Sequence, residues 1–559
     1  MSASSIEPAA PAGAPSRFGA ALWDRQLQHY PESRKRYFYL AIAIAITVVL
    51  YYQLYVQYAV STAILTHYQM TYTYFVYISV IGNAVGAFGS LAAGLADRWG
   101  RANITVFGSL LVGLLVAFFV PESSGKVMFA ALIIVVSLVE GMILVTTPAL
   151  VRDFSPQLGR ASAMGFWTMG PVLGSLVVTM VVSHTYTGAT TWQDEIRYAG
   201  VTGLVVFAVA LFALRELSPR LRDQIMVSLK DRVLIEARAK GLDTEALLTG
   251  QWRQMLRLDI VGSAFAISIF LLIYYAAVGS FTVYFTTVFG YSLQRTAGLL
   301  NWYWAADAVA LLAVGVISDR LRVRKPFMVV GAVFSIVFLT IFALDATKPG
   351  TSYYTFAVLL LGIGASGGFA FGPWMASFTE TVEKHNPAAT ATGLAVFGWI
   401  NRVVVALSVA VLPIVVTSVT PLVDHGTAVK TASVQAAPAL AIISAHPQLF
   451  AQLSADPNDK ALLGQAVQEV GVAGLTTVAD AKPQLTILQK YGASVESAAA
   501  KNPKNWQSWW WIALVGQILF LPFIFAMAGR WSPRKAREDL EAHEQLIAKQ
   551  IGELSPAEV

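Results

Sequence analysis

The sequence predicts an all-α membrane protein with twelve transmembrane helices in two pseudo-symmetric six-helix bundles. Three observations predict it. The first is composition: 56% of the 559 residues are hydrophobic and 13% are charged, where soluble proteins carry roughly a quarter charged residues. Mean hydropathy is +0.59. The second is a series of twelve long apolar stretches. The third is a set of short motifs that recur in both halves of the chain. Composition alone excludes a large soluble enzyme as the main body, and also a disordered chain. With no cysteine, disulfides, thiolate metal sites and cysteine nucleophiles are excluded as well.

A helix that crosses a bilayer needs about 20 mostly apolar residues. Such stretches run over 37–59, 72–95, 104–121, 127–151, 161–183, 198–216, 259–287, 296–318, 326–344, 352–377, 391–419 and 507–529. The first is too long for a signal-peptide core, and no small-residue cleavage site follows it, so it reads as a retained span. Net charge is +6, from 39 basic and 33 acidic residues, and its distribution is one-sided. Arg34, Lys35 and Arg36 precede span one, and Arg152 and Arg160 follow span four. The stretch after span six carries eight basic residues. Arg320, Arg322, Arg324 and Lys325 follow span eight, and Arg530, Arg534, Lys535 and Arg537 follow span twelve. The opposite loops hold only two arginines, Arg197 and Arg295, and the loop after span one has no Lys or Arg. By the positive-inside rule, both termini are expected to be cytoplasmic in a multi-pass protein of the cytoplasmic (inner) membrane.

Asp97-Arg98 recurs as Asp319-Arg320, an offset of 222 residues. The prolines of Ser155-Pro156 and Asn386-Pro387 are offset by 231, and Ser218-Pro219-Arg220 recurs as Ser532-Pro533-Arg534 at 314. The growth from 231 to 314 marks a large insertion before span twelve. The expected organisation is a polar tail (1–36), a first bundle (37–216), a helical linker (217–258), a second bundle (259–529) carrying an extracytoplasmic insertion (420–505), and a tail (530–559). Repeated halves with a site at their interface are a transporter plan.

The run from Ala93 to Arg101, Ala-Gly-Leu-Ala-Asp-Arg-Trp-Gly-Arg, resembles the signature loop between spans two and three of the major facilitator superfamily. Gly315 to Arg320 is its degenerate second copy. The resemblance covers residues 37–529 apart from the insertion, and it implies the major facilitator fold. It further implies that Asp97, Arg98, Gly100, Arg101, Arg152 and Asp153, with Asp319 and Arg320 in the second half, form a charge lock of the outward-open state. The alternative is that these residues anchor to lipid head groups. Gly170-Pro171-x-x-Gly174 resembles the span-five antiporter motif, implying a hinge at Gly170, Pro171 and Gly174; the alternative is ordinary small-residue helix packing.

Ionisable residues inside a membrane are costly and usually functional. Three lie near mid-span: Glu140, Asp307 and Arg402. A guanidinium offers five donors in a fork that matches a carboxylate, so Arg402 is the expected substrate anchor, with Trp399 and Asn401 beside it. A structural ion pair between Arg402 and one of the acids is the alternative. Glu140 or Asp307 is the expected proton-coupling group, since none of the histidines falls mid-span. Tyr51, Tyr55 and Tyr58 have i, i+4, i+7 spacing on span one, and Gln53 and Gln57 share another face. Tyr52, Gln53, Tyr55 and Gln57, with Tyr274 of span seven and Trp302 of span eight, complete the expected binding set. The insertion balances six acids against six lysines and is expected to form two or three short helices over the outer mouth, with a helix start at Asp456-Pro457 and breaks at His446-Pro447 and Lys482-Pro483.

The expected function is secondary active transport of a small organic anion by alternating access, coupled to protons or working by exchange. A proton-coupled exporter of lipophilic cations is the second reading, and a non-transporting receptor using 420–505 the third. No nucleophile–base pair, phosphate loop or metal spacing appears, so no enzyme, cofactor or metal is expected. The expected partners are the substrate, the lipid bilayer and protons, with no nucleic acid, and the protein is expected to act as a monomer.

Overall fold

The computed structural model describes residues 25–91, 99–155, 165–219, 251–386 and 390–535, with Trp23, Leu221 and five residues of the C-terminal tail. The spanning helices in chain order are α1 (Ser33–Ala59), α2 (Tyr72–Leu91), α3 (Arg101–Phe119), α4 (Lys126–Phe154), α5 (Gly165–Thr185), α6 (Trp192–Ala213), α7 (Leu258–Phe270 with Leu272–Gly279), α8 (Leu293–Leu321), α9 (Lys325–Asp345), α10 (Tyr353–His385), α11 (Thr392–Val415) and α12 (Lys482–Ala526). Ten of these are long and apolar enough to cross a bilayer unaided. The two pieces of α7 meet at 42° and together are long and apolar enough for one crossing. α2, which carries Tyr72, Tyr74, Tyr77 and Asn83, is not among those ten.

Two expectations about these elements need correction. Span seven does not run unbroken over 259–287. Leu271 (ψ 8°) and Ser280 (φ −122°) leave helical geometry, and a separate helix, Phe281–Val288, follows. It is held by ring contacts rather than by continuity: Tyr284 packs against Trp506 at 5.2 Å and Trp510 at 5.1 Å. The segment between α11 and α12 is more helical than expected. It forms Val419–Gln435, Ala437–Ala445, Pro447–Ala455 and Lys460–Asp480, and α12 itself begins at Lys482. Asp459, not Asp456, caps the fourth of these helices, accepting from Ala461 N at 2.7 Å and Leu462 N at 3.3 Å. A break does fall at Lys482-Pro483: the fourth helix ends at Asp480, and α12 starts at Lys482 with Pro483 in its first turn, where its missing N–H would have had no partner anyway.

Within each half the helices approach backbone to backbone. A Cβ at Gly141 of α4 would overlap the Gly86 carbonyl of α2. In the second half, a Cβ at Gly364 of α10 would overlap the Tyr303 carbonyl of α8. The halves meet where α5 packs on α8 and α2 on α11.

The chain before α1 is not a free tail at its end. Gln26–Leu27 (β1) pairs in parallel with Glu216–Leu217 (β2) beyond α6. Arg25, 1% exposed, donates to Leu211 O at 2.5 Å and to Ala210 O and Leu214 O at 3.4 Å. Leu211 O is among the carbonyls that the end of a helix leaves without intrahelical partners, while Ala210 O also accepts from Leu214 N. Burial, helped by neighbouring Arg215 and opposed by Glu216, pulls the Arg25 guanidinium below its usual range. Trp23 stacks on Phe107 at 5.6 Å, and Asn103 Nδ2 donates to Trp23 O at 3.0 Å. A charge-assisted hydrogen bond contributes about 1.5–3 kcal/mol. Arg25→Ala is therefore expected to lower the thermal midpoint of the detergent-solubilised protein, with Arg25→Lys between it and the parent; an unchanged midpoint in both would show that the clamp contributes nothing.

Candidate substrate cavity

A cavity of about 260 Å³ lies between the halves, running from mid-span toward the face that carries the 419–480 helices. Its walls come from α1, α2, α4, α7, α11 and α12. Helical spacing builds the α1 wall: Tyr51, Tyr55 and Tyr58 project on one side, with ring centroids 5.3 Å and 6.5 Å apart in sequence. Gln57 also lines the cavity, and its amide donates to Leu54 O at 3.1 Å. From α11 come Asn401 and Arg402, and from α7 Tyr275, whose hydroxyl bonds Asn401 Oδ1. Glu140 of α4 is 2% exposed and lines the same cavity. Neither of its carboxyl oxygens has a hydrogen-bond partner among the described residues, so it forms no ion pair with Arg402. Tyr51 stands within electrostatic range of both.

Several expected binding residues lie elsewhere. Trp399 is 71% exposed and Trp302 45% exposed; both face outward because their positions on the helix turn away from the seam. Tyr52 and Gln53 are buried inside the first half instead. Gln53 fills the space that Gly203 of α6 leaves, and Tyr52 lies within electrostatic range of Glu195. Tyr274 packs edge-on against Trp304 at 5.2 Å, and it is Tyr275 that reaches the cavity. Of the two acids, Asp307 is buried against α10, where a Cβ at Gly368 would sit 2.9 Å from its Oδ1. Asp307 is not among the lining residues, and Glu140 is.

Charged groups gather at the opposite face. Arg101 Nη1 donates to both oxygens of Asp153, at 2.9 and 2.7 Å. Glu216 caps α3 from beyond α6, accepting from Arg101 N at 2.7 Å. Gly100 has φ +90°, and a Cβ there would overlap Glu216, so the turn needs glycine. Asp97 and Arg98 lie outside the described residues. In the second half the cation is Arg324 rather than Arg320. It meets Asp319 at 2.6 Å, Ser318 Oγ at 2.8 Å and Glu380 at 3.2 Å. Arg320 is exposed, and neither it nor Arg152 makes an ion pair among the described residues. His385 Nε2 at the end of α10 meets Asp259 at 2.6 Å at the start of α7. In α5, Pro171 opens the Gly170–Thr185 helix. Gly170 and Gly174 rest on α1, where a Cβ would fall 2.6 Å from Thr47 Cγ2 and 2.5 Å from Tyr51 Cβ.

Residues 37–413, more than half of the chain, match the family model described as Major Facilitator Superfamily. The chain belongs to the major facilitator superfamily. It is a multi-pass membrane protein, and its superfamily consists of transporters of small molecules. Solved members share its fold. A bacterial homolog of the human lysosomal transporter Spinster, inward-facing and occupied, gives a TM-score of 0.55 at 13% identity, covering 89% of this chain and 97% of that one. The E. coli proton:xylose symporter XylE bound to 6-bromo-6-deoxy-D-glucose gives 0.52 at 13% identity, over 69% and 89% of the two chains. A stretch of 125 residues is 31% identical to the multidrug resistance protein MdtL of Shewanella sp. (strain ANA-3), covering 22% of this chain and 31% of that protein. The match thus spans about a third of that relative's length.

Arg101 and Asp153 are mostly buried, at 14% and 8% side-chain exposure. Removing one partner of such a pair takes from the other's charge a close counter-charge, at a cost of up to about 3 kcal/mol. Asp153→Asn is expected to destabilise this major facilitator protein in a thermal unfolding assay by more than the double variant Arg101→Met with Asp153→Leu does. Equal losses would show that the pair is not coupled.

Proposed function

We propose that this protein is a secondary active transporter of a small organic anion in the cytoplasmic membrane, with both termini in the cytoplasm and alternating access produced by rocking of the two halves. The observation that carries this reading is Arg402 at the wall of the cavity between the halves, beside Asn401, Tyr275 and the tyrosines of α1. The guanidinium supplies a planar fork for a carboxylate, and the phenol faces suit a flat substrate body. Glu140 is the acid placed to exchange a proton with the cavity, and it changes the cavity's charge as the anion enters or leaves. Carriage of substrate and proton together, or exchange of one anion for another, follows from this arrangement. Arg101 with Asp153, and Arg324 with Asp319 and Glu380, close the cytoplasmic side while the cavity faces outward. Asp97 and Arg98 belong to the same lock by resemblance. The protein works as a monomer, because one chain supplies both walls of the cavity.

The second reading, export of lipophilic cations, is favoured by the stretch similar to MdtL and by the unpartnered Glu140 carboxyl among aromatic rings. Proteoliposomes loaded with a pH-sensitive dye separate the two. If Arg402 holds a carboxylate, one member of a panel of small mono- and dicarboxylates drives proton flux. Arg402→Lys, which keeps the charge and loses the fork, then weakens half-saturation by about tenfold, the worth of roughly 1.4 kcal/mol, and Glu140→Gln abolishes proton movement while substrate still binds. Flux with lipophilic cations alone, lost in Glu140→Gln and retained in Arg402→Lys, would overturn the anion reading.

A further inference from the structure

Tyr72 is the first residue of α2, so its backbone N–H is one of the donors that a helix start leaves without an intrahelical partner. Thr71, just before it, serves a different donor: its hydroxyl accepts from Tyr74 N at 3.2 Å. The partner of Tyr72 N comes from 352 residues away, where Asp424 Oδ1 accepts it at 2.7 Å. Asp424 lies on Val419–Gln435, the first helix of the segment between α11 and α12. That helix is tied to the second half at its base. Ser418 Oγ bonds Asn502 Oδ1 at 2.8 Å, Asn502 Nδ2 donates to Thr287 Oγ1 at 3.1 Å, and Asn505 Nδ2 donates to Thr417 Oγ1 at 3.1 Å. Ser418 and Asn502 are buried, at 2% and 1% exposure. The helix packs along α12 and also reaches across to α2 and to Ser61–His67 of the first half. The Asp424–Tyr72 bond therefore crosses from one half to the other. It stands at the rim of the cavity, since Tyr72 and Phe75 are both lining residues.

We propose that Asp424 is a gating residue of transport: a latch on the insertion-side mouth that holds the cavity shut by capping α2 from the opposite half. Opening on that side separates α2 from α11 and from the helices anchored to it. The bond then breaks, leaving the positive end of α2 uncapped and the carboxylate without its partner. The insertion is thereby part of the gate. The inference rests on the alternating-access part of the reading above and not on the identity of the substrate.

The absence of native cysteine makes the test direct. Ser408→Cys places a thiol on the cavity wall, and Ser494→Cys places a reference thiol on the exposed part of α12. A membrane-impermeant maleimide is applied to the full-length protein from the insertion side. Loss of one charge-assisted cap corresponds to about a tenfold change in an equilibrium. Asp424→Ala is expected to raise labelling of the cavity-wall thiol about tenfold relative to the reference thiol, and Asp424→Asn, which keeps an acceptor and loses the charge, by less. The donor side gives a second measurement if Asp424→Ala does not fold. Tyr72→Pro removes the N–H at a position that tolerates proline, and Tyr72→Ala removes the ring alone. Faster labelling in Tyr72→Pro than in Tyr72→Ala supports the latch. Equal rates in that pair, or an unchanged rate in folded Asp424→Ala, overturn it. Labelling requires no substrate, so a large effect in a protein that moves no carboxylate keeps the latch and discards the role of Arg402.

Discussion

The hydrocarbon interior of a bilayer supplies neither water nor counter-ions, and the polar features of this protein are arranged around that constraint. Charged partners concentrate near the helix ends, where Arg101 meets Asp153 and Arg324 meets Asp319 and Glu380. The few ionisable groups at depth are handled in different ways. Asp307 is packed away against the glycines of α10, whereas Glu140 and Arg402 are left facing one small cavity without pairing with each other. An unpaired acid inside a membrane protein is expensive to keep. Its placement on the wall of a space between two halves makes a passing ligand or proton the natural partner.

The two halves repeat this logic with different residues. In the first half, the cation at the start of α3 reaches the acid at the end of α4. In the second, Arg324 at the start of α9 reaches Glu380 near the end of α10. The repeat preserves the geometry of a bond between the foot of one helix and the end of the next, and lets the exact position of the cation drift. Resemblance to a motif therefore leads to Arg320, and the chain uses Arg324.

Span depth and motif order were legible in the sequence because both depend on residue type along the chain. The apolar stretches located the spanning helices, and the loop from Ala93 to Arg101 located the family. Which way a side chain turns depends on how a helix is rotated against its neighbours, and no local pattern encodes that. Trp399 and Arg402 lie at nearly the same depth, yet one faces outward and the other the cavity. Tyr274 and Tyr275 differ by one position and divide between a packed core and the cavity wall. The tyrosine set of α1 was readable because three residues agreed on one face. The Arg25 clamp and the Asp424 cap were not, since each is a contact between segments more than 180 residues apart and one of the two partners is bare backbone.

The glycine contacts within each half bear on how this protein tolerates change. Where Gly86 meets Gly141, and Tyr303 meets Gly364, main chain lies on main chain with no side chain between. Such a junction has no rotamers to adjust and no room for an added methyl, so each half behaves as a single stiff body. Across the seams of α5 against α8 and α2 against α11, no glycine among the described residues lies against main chain. A library of random substitutions should consequently divide by location: changes at the glycine junctions remove the folded carrier altogether, whereas changes along the seams leave it folded and alter how fast it cycles.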